Sequence, residues 1–139
     1  MSNEIFILHR GTTALLVSLP HVGTLIPADI AERLRTQALA VEDTDWHLET
    51  LYAFARELGA SLLVPRYSRY VVDLNRPPDD ISLYPGQNTT GLCPHVQFSG
   101  DPVYLDGQNP DEDEVASRVE QYWLPYHQAL QAELKRIHA

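Results

Sequence analysis

The sequence predicts an α/β domain in which helices flank a mixed β-sheet, and three observations support this fold class. The apolar run 14–19 alternates too little for a strand with one face in water and is typical of a strand covered on both faces. Segments 48–58 and 110–137 carry apolar residues at three- and four-residue steps, as amphipathic helices do. The length of 139 residues suits one domain.

The N-terminal part of the chain predicts two strands and a short helix. Residues 4–8 and 14–19 are apolar runs separated by Gly11-Thr12-Thr13, which is typical of strands on either side of a turn. Residues 27–34 begin with a proline and carry an acid near the start, as the first turn of a helix often does. We therefore expect strand, turn, strand and helix in this order.

A longer helix and two more strands are predicted next. Thr44 or Asp45 is the expected N-cap of the helix, and Gly59 the expected C-cap. Its apolar face consists of Leu48, Leu51, Tyr52, Ala55 and Leu58. Residues 61–65 and 69–74 are short apolar segments that predict the two strands.

The second half of the chain predicts a long loop and then a long helix. Residues 75–109 are rich in proline, glycine, aspartate and asparagine, and loops of this length in compact domains are usually functional. A helix is expected from Pro110 or Glu112 to Ile137, with a kink or a break at Pro125. The core side of this helix is expected to include its aromatic residues, Tyr122, Trp123 and Tyr126.

Charge and cysteine content exclude several classes of protein. The chain has 10 basic and 19 acidic residues and a net charge of -9, which argues against nucleic acid and anionic membranes as partners. Its one cysteine, Cys93, rules out an internal disulfide and fits a reducing cytoplasm. The N-terminus lacks the features of a secretion signal, and no run approaches the roughly 20 apolar residues of a membrane span. We therefore expect a cytoplasmic protein.

Asn75 and Arg76 form a candidate anion-binding pair, since they follow an apolar run and precede two prolines. A planar guanidinium can grip a carboxylate through two parallel hydrogen bonds, and the asparagine amide can donate a third. Arg66 and Arg69 lie nearby in an otherwise acidic chain, which also favours a local anion site. The alternative is a salt bridge from Arg76 to a neighbouring acid, Asp73, Asp79 or Asp80.

Candidate metal ligands lie upstream of this pair. His21 follows a predicted strand at its C-terminal end, where open α/β sheets place their ligands. Carboxylates and an imidazole, the ligand types that zinc accepts outside cysteine sites, crowd the start of the next helix at Glu42, Asp43, Asp45 and His47. The alternatives are a loop hydrogen bond for His21 and helix capping for the acids. Together with the anion-binding pair, these residues suggest a metallohydrolase for a carboxylate-bearing substrate.

The loop 84–94 offers two further possibilities. It is polar and almost uncharged, so its amides can line a substrate, or it can be a surface loop that satisfies its own hydrogen bonds. A hydrolase built on Cys93 and His95 is a third interpretation, less favoured because the cysteine has no other basic activator nearby. If the chain is a cysteine hydrolase, alkylation of the thiol should abolish its activity and metal chelators should have no effect on it.

Four motifs taken together resemble the N-terminal half of the N-formylglutamate deformylase family, also called N-formylglutamate amidohydrolases. They are Ser-Leu-Pro-His-Val-Gly at 18–23, Asp-Thr-Asp-Trp-His-Leu at 43–48, the arginine-rich segment 66–77 and Leu-Tyr-Pro-Gly-Gln-Asn-Thr-Thr-Gly-Leu-Cys-Pro at 83–94. The resemblance covers nearly all of residues 1–139. It implies that these residues are a single N-terminal portion of an amidohydrolase domain and that the C-terminal half of the domain is absent.

The resemblance implies hydrolysis of N-formyl-L-glutamate to formate and glutamate, in bacterial histidine degradation, on a truncated fold similar to zinc carboxypeptidases. In that family the position of His21 supplies the first zinc ligand and that of Asp45 the carboxylate ligand. Asn75 and Arg76 are similar to the pair that holds a substrate carboxylate, and we predict Arg69 as a further substrate contact.

The chain also departs from the family. The family continues into a strand with an Asp-Ala-His-Ser type motif, which supplies a third zinc ligand, and then to a glutamate expected to act as general base. Neither occurs in this sequence. We therefore expect residues 1–139 to be inactive or nearly so and to self-associate through an exposed sheet edge. The alternative is a non-catalytic carboxylate-binding module that uses Arg76 and the 84–94 loop.

Overall fold

The fold is known from a computed structural model that describes residues 4–80 and 91–139. The sheet consists of β1 (Phe6–His9), β2 (Leu16–Ser18) and β3 (Ser61–Pro65), in the order β1-β3-β2. β1 pairs with β3 antiparallel, and β2 pairs with it parallel. The predicted α/β class with a mixed sheet is therefore confirmed.

The central strand β3 joins two apolar layers because its successive side chains point to opposite faces. Leu63 belongs to a cluster with Tyr126, whereas Leu62 packs with Leu19 and Val64 against the other face. All five residues of β3 are buried. This explains why segment 61–64 lacks the apolar and polar alternation of a half-exposed strand.

Helices cover both faces of the sheet. They are α1 (Ala28–Ala31), α2 (Leu48–Leu51), α3 (Ala53–Glu57), α4 (Glu112–Arg118) and α5 (Leu124–Ile137). A 3-10 turn spans Ala38–Ala40, and a π-helical turn, Val119–Trp123, connects the last two helices. Among the described residues, none of these helices has the length and apolar character needed to cross a membrane.

The predicted helix at 48–58 consists of two short helices, α2 and α3, which meet at Tyr52 with φ -92° and ψ 7°. The predicted side-chain cap is wrong. Thr44 donates its hydroxyl to the Val41 carbonyl at 2.6 Å, Asp45 donates its main-chain N–H to the His21 carbonyl at 2.9 Å, and α2 begins without a side-chain cap. The predicted end is correct, since Gly59 has φ 91°, a conformation that favours glycine.

The predicted strand at 69–74 is wrong, because this segment forms turns and irregular structure. Val71 donates its N–H to the Ser68 carbonyl at 2.9 Å, and Asp73 donates its own to the Leu92 carbonyl at 2.6 Å. Residues 70–74 are all buried. An unalternating apolar run suits a buried loop as well as a buried strand, so the pattern alone did not distinguish them.

The predicted break in the C-terminal helix is present as the π-helical turn just before Pro125. Proline has no main-chain N–H to donate into the helix, so the regular pattern of helical hydrogen bonds is interrupted at this point. Of the predicted core aromatics, Tyr122 and Trp123 lie in this turn and Tyr126 lies just after it. Tyr126 is 1% exposed and its hydroxyl lies 2.6 Å from that of Ser18, while Tyr122 and Trp123 are half-buried against the same core.

Glu133 provides a test of the packing between α5 and the sheet. Its buried carboxylate accepts hydrogen bonds from the Ser61 hydroxyl and, at 2.6 Å, from Arg136. The two hydrogen bonds from Arg136 and the one from Ser61 outweigh burial and lower the pKa of Glu133 from 4.5 to about 2. Because the folded-state pKa is lowered, the resulting stability is present above about pH 4.5 and is lost as the pH falls toward about 2.

Replacing Glu133 by glutamine is expected to lower the free energy of unfolding at neutral pH by about 1–3 kcal/mol, since it removes charge-assisted hydrogen bonds from a buried group. The variant should also lose less stability than the parent between about pH 5 and pH 2. Urea denaturation across this range measures both effects. The exposed Glu57→Gln substitution is the control, and equal pH dependence of the parent and Glu133→Gln would contradict the assignment.

Candidate active site

His21 lies just beyond the C-terminal end of β2, between two carboxylates. Its Nε2 is 2.6 Å from Asp73 Oδ1, and its Nδ1 is 3.8 Å from Asp45 Oδ2. The main-chain bond from Asp45 to the His21 carbonyl holds the two loops together. The structure thus brings together His21 and Asp45, the two residues predicted as metal ligands.

Asp73 is the residue of this site that the sequence interpretation missed. The sequence interpretation assigns Asp73 only a possible salt bridge to Arg76, although a single acid within an apolar run is itself a signal of a buried functional carboxylate. Its Oδ1 also accepts the Asn75 N–H at 2.9 Å, and its Oδ2 lies 3.3 Å from Arg69 Nη2. Burial raises the pKa of Asp73, but the hydrogen bond and charge of His21, the Asn75 N–H and Arg69 together lower it.

The ionised Asp73 determines which His21 nitrogen is available. A carboxylate only accepts hydrogen bonds, so the Nε2–H group of His21 donates a hydrogen bond to Asp73 Oδ1. The lone pair of neutral His21 is then on Nδ1, which faces Asp45. Outer carboxylates orient metal-binding histidines in this way.

Arg69 lies behind Asp73. Its side chain is 9% exposed, and its Nη1 donates to the Asp43 carbonyl at 3.3 Å. Its guanidinium is 4.7 Å from the centre of the Phe98 ring, while its Nε has no hydrogen-bond partner among the described residues. This position supports Asp73; the predicted contact of Arg69 with substrate stays a prediction.

Asp43 connects loops instead of capping a helix. Its Oδ2 accepts the Tyr70 hydroxyl at 2.7 Å and the Phe98 N–H at 2.9 Å. Burial, followed by the hydrogen bond to this carboxylate, raises the pKa of Tyr70. Glu42 and His47 are exposed next to this segment, and neither makes an ion pair within residues 4–80 and 91–139.

Asn75 and Arg76 follow Asp73 directly. Asn75 is exposed, and within the described part of the chain the Arg76 guanidinium has no ion pair. The alternative salt bridge to Asp73 is not observed, because that carboxylate pairs with His21 and Arg69. The exposed position of Asn75, and the lack of an ion pair at Arg76 within the described residues, are compatible with the candidate anion-binding pair.

Two aromatic residues of the C-terminal helical segment hold the main chain around this pair. Trp123 donates its indole N–H to the Arg76 carbonyl at 2.8 Å, and the Nε2 of His127 donates to the Leu74 carbonyl at 2.8 Å. The two rings are stacked with their centres 3.8 Å apart. They fix the carbonyls on either side of Asn75 and so restrict how the pair can move.

Replacing Trp123 by phenylalanine is expected to lower the free energy of unfolding by about 0.5–1.5 kcal/mol, because the Arg76 carbonyl loses its donor. Chemical denaturation measures this change. Tyr122→Phe is the control, since it removes a hydroxyl from the same turn without removing that hydrogen bond. An equal change in both variants would mean that the indole bond contributes nothing specific.

Cys93 is unsuited to nucleophilic catalysis. It is 7% exposed, and burial raises the pKa of its thiol to about 11, so it is protonated at neutral pH. His95, the proposed activator, is exposed. The structure therefore argues against the cysteine hydrolase interpretation. Residues 84–90 of the proposed substrate loop lie outside the described residues, while Leu92, Cys93 and Pro94 are buried.

The donors at His21 and Asp45 fit a zinc ion as a partial ligand set. Imidazole nitrogen and carboxylate oxygen are both zinc ligands, and two ligands on one tetrahedral zinc lie about 3.3–3.6 Å apart, close to the 3.8 Å observed between these atoms. Asp45 is 42% exposed, so the position between them is open. Among the described residues, no group of three histidine, cysteine, aspartate or glutamate side chains forms a complete metal site.

These features define an α/β protein with a histidine-carboxylate site at the C-terminal end of a sheet strand, the usual ligand position of open α/β enzymes. Residues 13–139 match the family model of N-formylglutamate amidohydrolase. The chain belongs to this family, which confirms the resemblance seen in its motifs.

Two curated relatives are named N-formylglutamate deformylase. The chain is 44% identical over 135 residues to the one from Pseudomonas putida, covering 97% of this chain and 50% of the relative. It is 46% identical over 137 residues to the one from Pseudomonas aeruginosa, covering 99% of this chain and 51% of the relative. The chain thus spans about half the length of the curated relatives it matches.

Solved structures show the same relation. The N-formylglutamate amidohydrolase from Ralstonia eutropha JMP134 superimposes with a TM-score of 0.77 at 26% identity, over 96% of this chain and 51% of that protein. A gene product of Agrobacterium tumefaciens has the same fold, with a TM-score of 0.64 at 21% identity, again over 96% of this chain and 51% of that one.

Proposed function

We propose that this chain carries the metal-binding and substrate-orienting part of a cytoplasmic amidohydrolase that cleaves N-formyl-L-glutamate to formate and L-glutamate in histidine degradation. Membership of the family supports the reaction. One observation carries the site: Asp73 holds His21 so that the Nδ1 of His21 faces Asp45. Asp73 itself lies two residues before the Asn75-Arg76 pair.

In this proposal His21 and Asp45 hold the metal, and Asp73 keeps His21 in the tautomer that can bind it. A bound zinc ion supplies an acidified water and polarises a carbonyl oxygen. Arg69 keeps Asp73 ionised and in place from behind. The general base is expected outside residues 1–139, so none of the residues here is assigned that role.

The substrate-binding side of the proposal uses Asn75, Arg76 and, as predicted, Arg69. Arg76 grips a carboxylate of the glutamate through two hydrogen bonds and Asn75 donates a third from its amide. Because Trp123 and His127 hold the adjoining carbonyls, the pair loses little freedom on binding. Holding this end of the substrate places its formyl group toward His21 and Asp45, and such positioning can contribute several kcal/mol.

We further propose that the complete fold is similar to that of zinc carboxypeptidases and that residues 1–139 alone are inactive or nearly so. Catalytic zinc sites generally have three protein ligands, and this proposal assigns two. A non-catalytic carboxylate-binding module is the second candidate. The exposed Asn75 beside Arg76, which makes no ion pair among the described residues, favours it.

Formate release from N-formyl-L-glutamate tests both proposals. The chain is compared with a fusion in which it precedes the C-terminal half of the Pseudomonas aeruginosa relative, in buffers freed of metal and then supplied with zinc. We expect hydrolysis by the fusion, its loss with a chelator, and less than about one per cent of that rate from the chain alone. Comparable rates would refute the inactive state, and a fusion that binds substrate without hydrolysis would favour the binding module.

A further inference from the structure

A short hairpin, residues 95–103, reaches from the core to Arg69. Within it, Gln97 donates its N–H to the Asp101 carbonyl at 2.8 Å. The base of the hairpin is fixed, since Val103 is buried in the core. The tip, residues 98–102, is exposed. Contacts outside the hairpin therefore determine where its tip lies.

Asp43 ties the tip of this hairpin to the candidate active site. Its Oδ2 accepts the Phe98 N–H at 2.9 Å and the Tyr70 hydroxyl at 2.7 Å. Tyr70 is 1% exposed, so its hydroxyl holds the Asp43 carboxylate against the core. The main-chain carbonyl of Asp43 accepts a hydrogen bond from Arg69 Nη1 at 3.3 Å. One residue thus contacts both the tip of the hairpin and the arginine.

Phe98 covers the guanidinium of Arg69. The centre of its ring is 4.7 Å from Arg69 Cζ, which is within the range of a cation–π contact. The ring is 58% exposed, so it gains little from its own burial. Arg69 is only 8% exposed, although its Nε has no hydrogen-bond partner among the described residues. The ring therefore lies between this buried guanidinium and water.

The covered arginine acts on Asp73. Arg69 Nη2 lies 3.3 Å from Asp73 Oδ2, and the other oxygen of this carboxylate accepts the hydrogen bond from His21. Both charged groups of the ion pair are buried, and charges attract each other more strongly in the interior than in water. Water admitted to Arg69 would weaken the ion pair that holds Asp73 in place.

We propose that Phe98 and Asp43 are positioning residues. Asp43 anchors the hairpin tip so that the Phe98 ring keeps water away from the Arg69–Asp73 ion pair, and this ion pair orients His21. The effect of the cover on the metal site rests on the proposed function, whereas the cover itself does not. Asp43 thereby has a role that neither metal binding nor helix capping describes.

Exchange of the Arg69 Nε proton with water measures the cover directly in the 139-residue chain, without metal or substrate. Heteronuclear NMR detects arginine Nε–H signals, and the signal of Arg69 is identified by its absence from Arg69→Lys. We expect Phe98→Ala to raise its exchange rate at least about tenfold, since local opening exposes a proton that the fold protects. Asp43→Ala should raise it as well, because the hairpin tip loses its anchor.

Two variants and an internal reference are the controls. Phe98→Tyr keeps the ring over Arg69, and Val96→Ala removes another exposed apolar side chain from the same hairpin, so both should stay within about twofold of the parent rate. Arg118 Nε is also buried without a hydrogen-bond partner in the described part of the chain. Its exchange should not change, because Arg118 packs beside Tyr104 instead.

Two results would overturn the cover. Equal acceleration at Arg69 and Arg118 in Phe98→Ala would mean a general loosening of the fold. Unchanged exchange at Arg69 in Phe98→Ala would mean that the ring does not exclude water. Circular dichroism of each variant checks that the chain is folded when the rates are compared.

Zinc affinity tests the consequence for the metal site, in a fusion of the chain with the C-terminal half of the Pseudomonas aeruginosa relative. Phe98→Ala should lower it at least about threefold, less than the roughly 10- to 100-fold typical of losing a direct partner of a metal ligand. Phe98→Tyr should keep the parent affinity.

The two measurements separate the proposals. Unchanged zinc affinity in Phe98→Ala, together with faster exchange at Arg69, would overturn the positioning role of Phe98. A parent fusion that binds no zinc would count against the proposed function, while the exchange rates would still decide whether Phe98 covers Arg69.

Discussion

Replacing His21 by alanine is expected to abolish stoichiometric zinc binding in the fusion with the C-terminal half of the Pseudomonas aeruginosa relative. The substitution removes the Nδ1 donor that faces Asp45, so we expect zinc affinity to fall by more than the roughly 10- to 100-fold typical of losing an outer partner. Metal analysis after dialysis, with competition against a chelator, measures the change.

Asp73→Asn tests the carboxylate that orients His21 separately from the proposed ligand His21 itself. It keeps the shape of the side chain but removes the charge that receives the His21 Nε2 proton, so zinc affinity should fall about 10- to 100-fold. His95→Ala is the matched control, because this histidine is exposed and makes no ion pair among the described residues. Full zinc content in the His21→Ala fusion would refute the ligand assignment.

Replacing Arg76 by alanine is expected to weaken binding of a dicarboxylate such as glutarate to the 139-residue chain by about 10- to 100-fold. The estimate corresponds to the loss of charge-assisted hydrogen bonds, about 1.5–3 kcal/mol. The glutarate affinity of Arg76→Lys should lie between those of the parent and Arg76→Ala, because an ammonium group keeps the charge but cannot form two parallel hydrogen bonds to a carboxylate. Isothermal calorimetry or chemical-shift titration measures the affinities.

Arg56→Ala is the control for the loss of a positive charge, since Arg56 is exposed on α3 and lies beside His9 at the end of β1. If Arg76→Ala and Arg56→Ala weaken glutarate binding equally, the effect is one of net charge, and Asn75-Arg76 is not the binding pair. This experiment needs no metal. It therefore tests the substrate-orienting side separately from the zinc ligands.

The sequence predicted the elements that have strong local signals. The apolar run at 61–64 gave the central strand, Gly59 ended the helix before it, and Pro125 marked the break in the last helix. The motifs identified the family correctly. These features depend on interactions between residues close in the chain, which is why pattern and composition reveal them.

Tertiary structure decided whether an apolar segment forms a strand or a buried loop, and which face of a helix is covered. Residues 69–74 have the composition of a strand but form a buried loop, because their hydrogen bonds go to turns and to Leu92. Leu51 and Leu58 have helical spacing and are predicted on the buried face, but they are 65% and 71% exposed. Helix periodicity does not say which face a sheet will cover.

The site shows the same division. Residue type and position predicted His21 and the Asn75-Arg76 pair as candidates, since metal and anion chemistry accept few side chains. They left several candidate ligands within residues 42–47, among which the family resemblance selected Asp45. The role of Asp73 and the buried position of Arg69 follow from contacts between residues far apart or hidden in a loop. Sequence determined which groups are available, whereas the fold decided which nitrogen of His21 faces Asp45, because only packing fixes orientation.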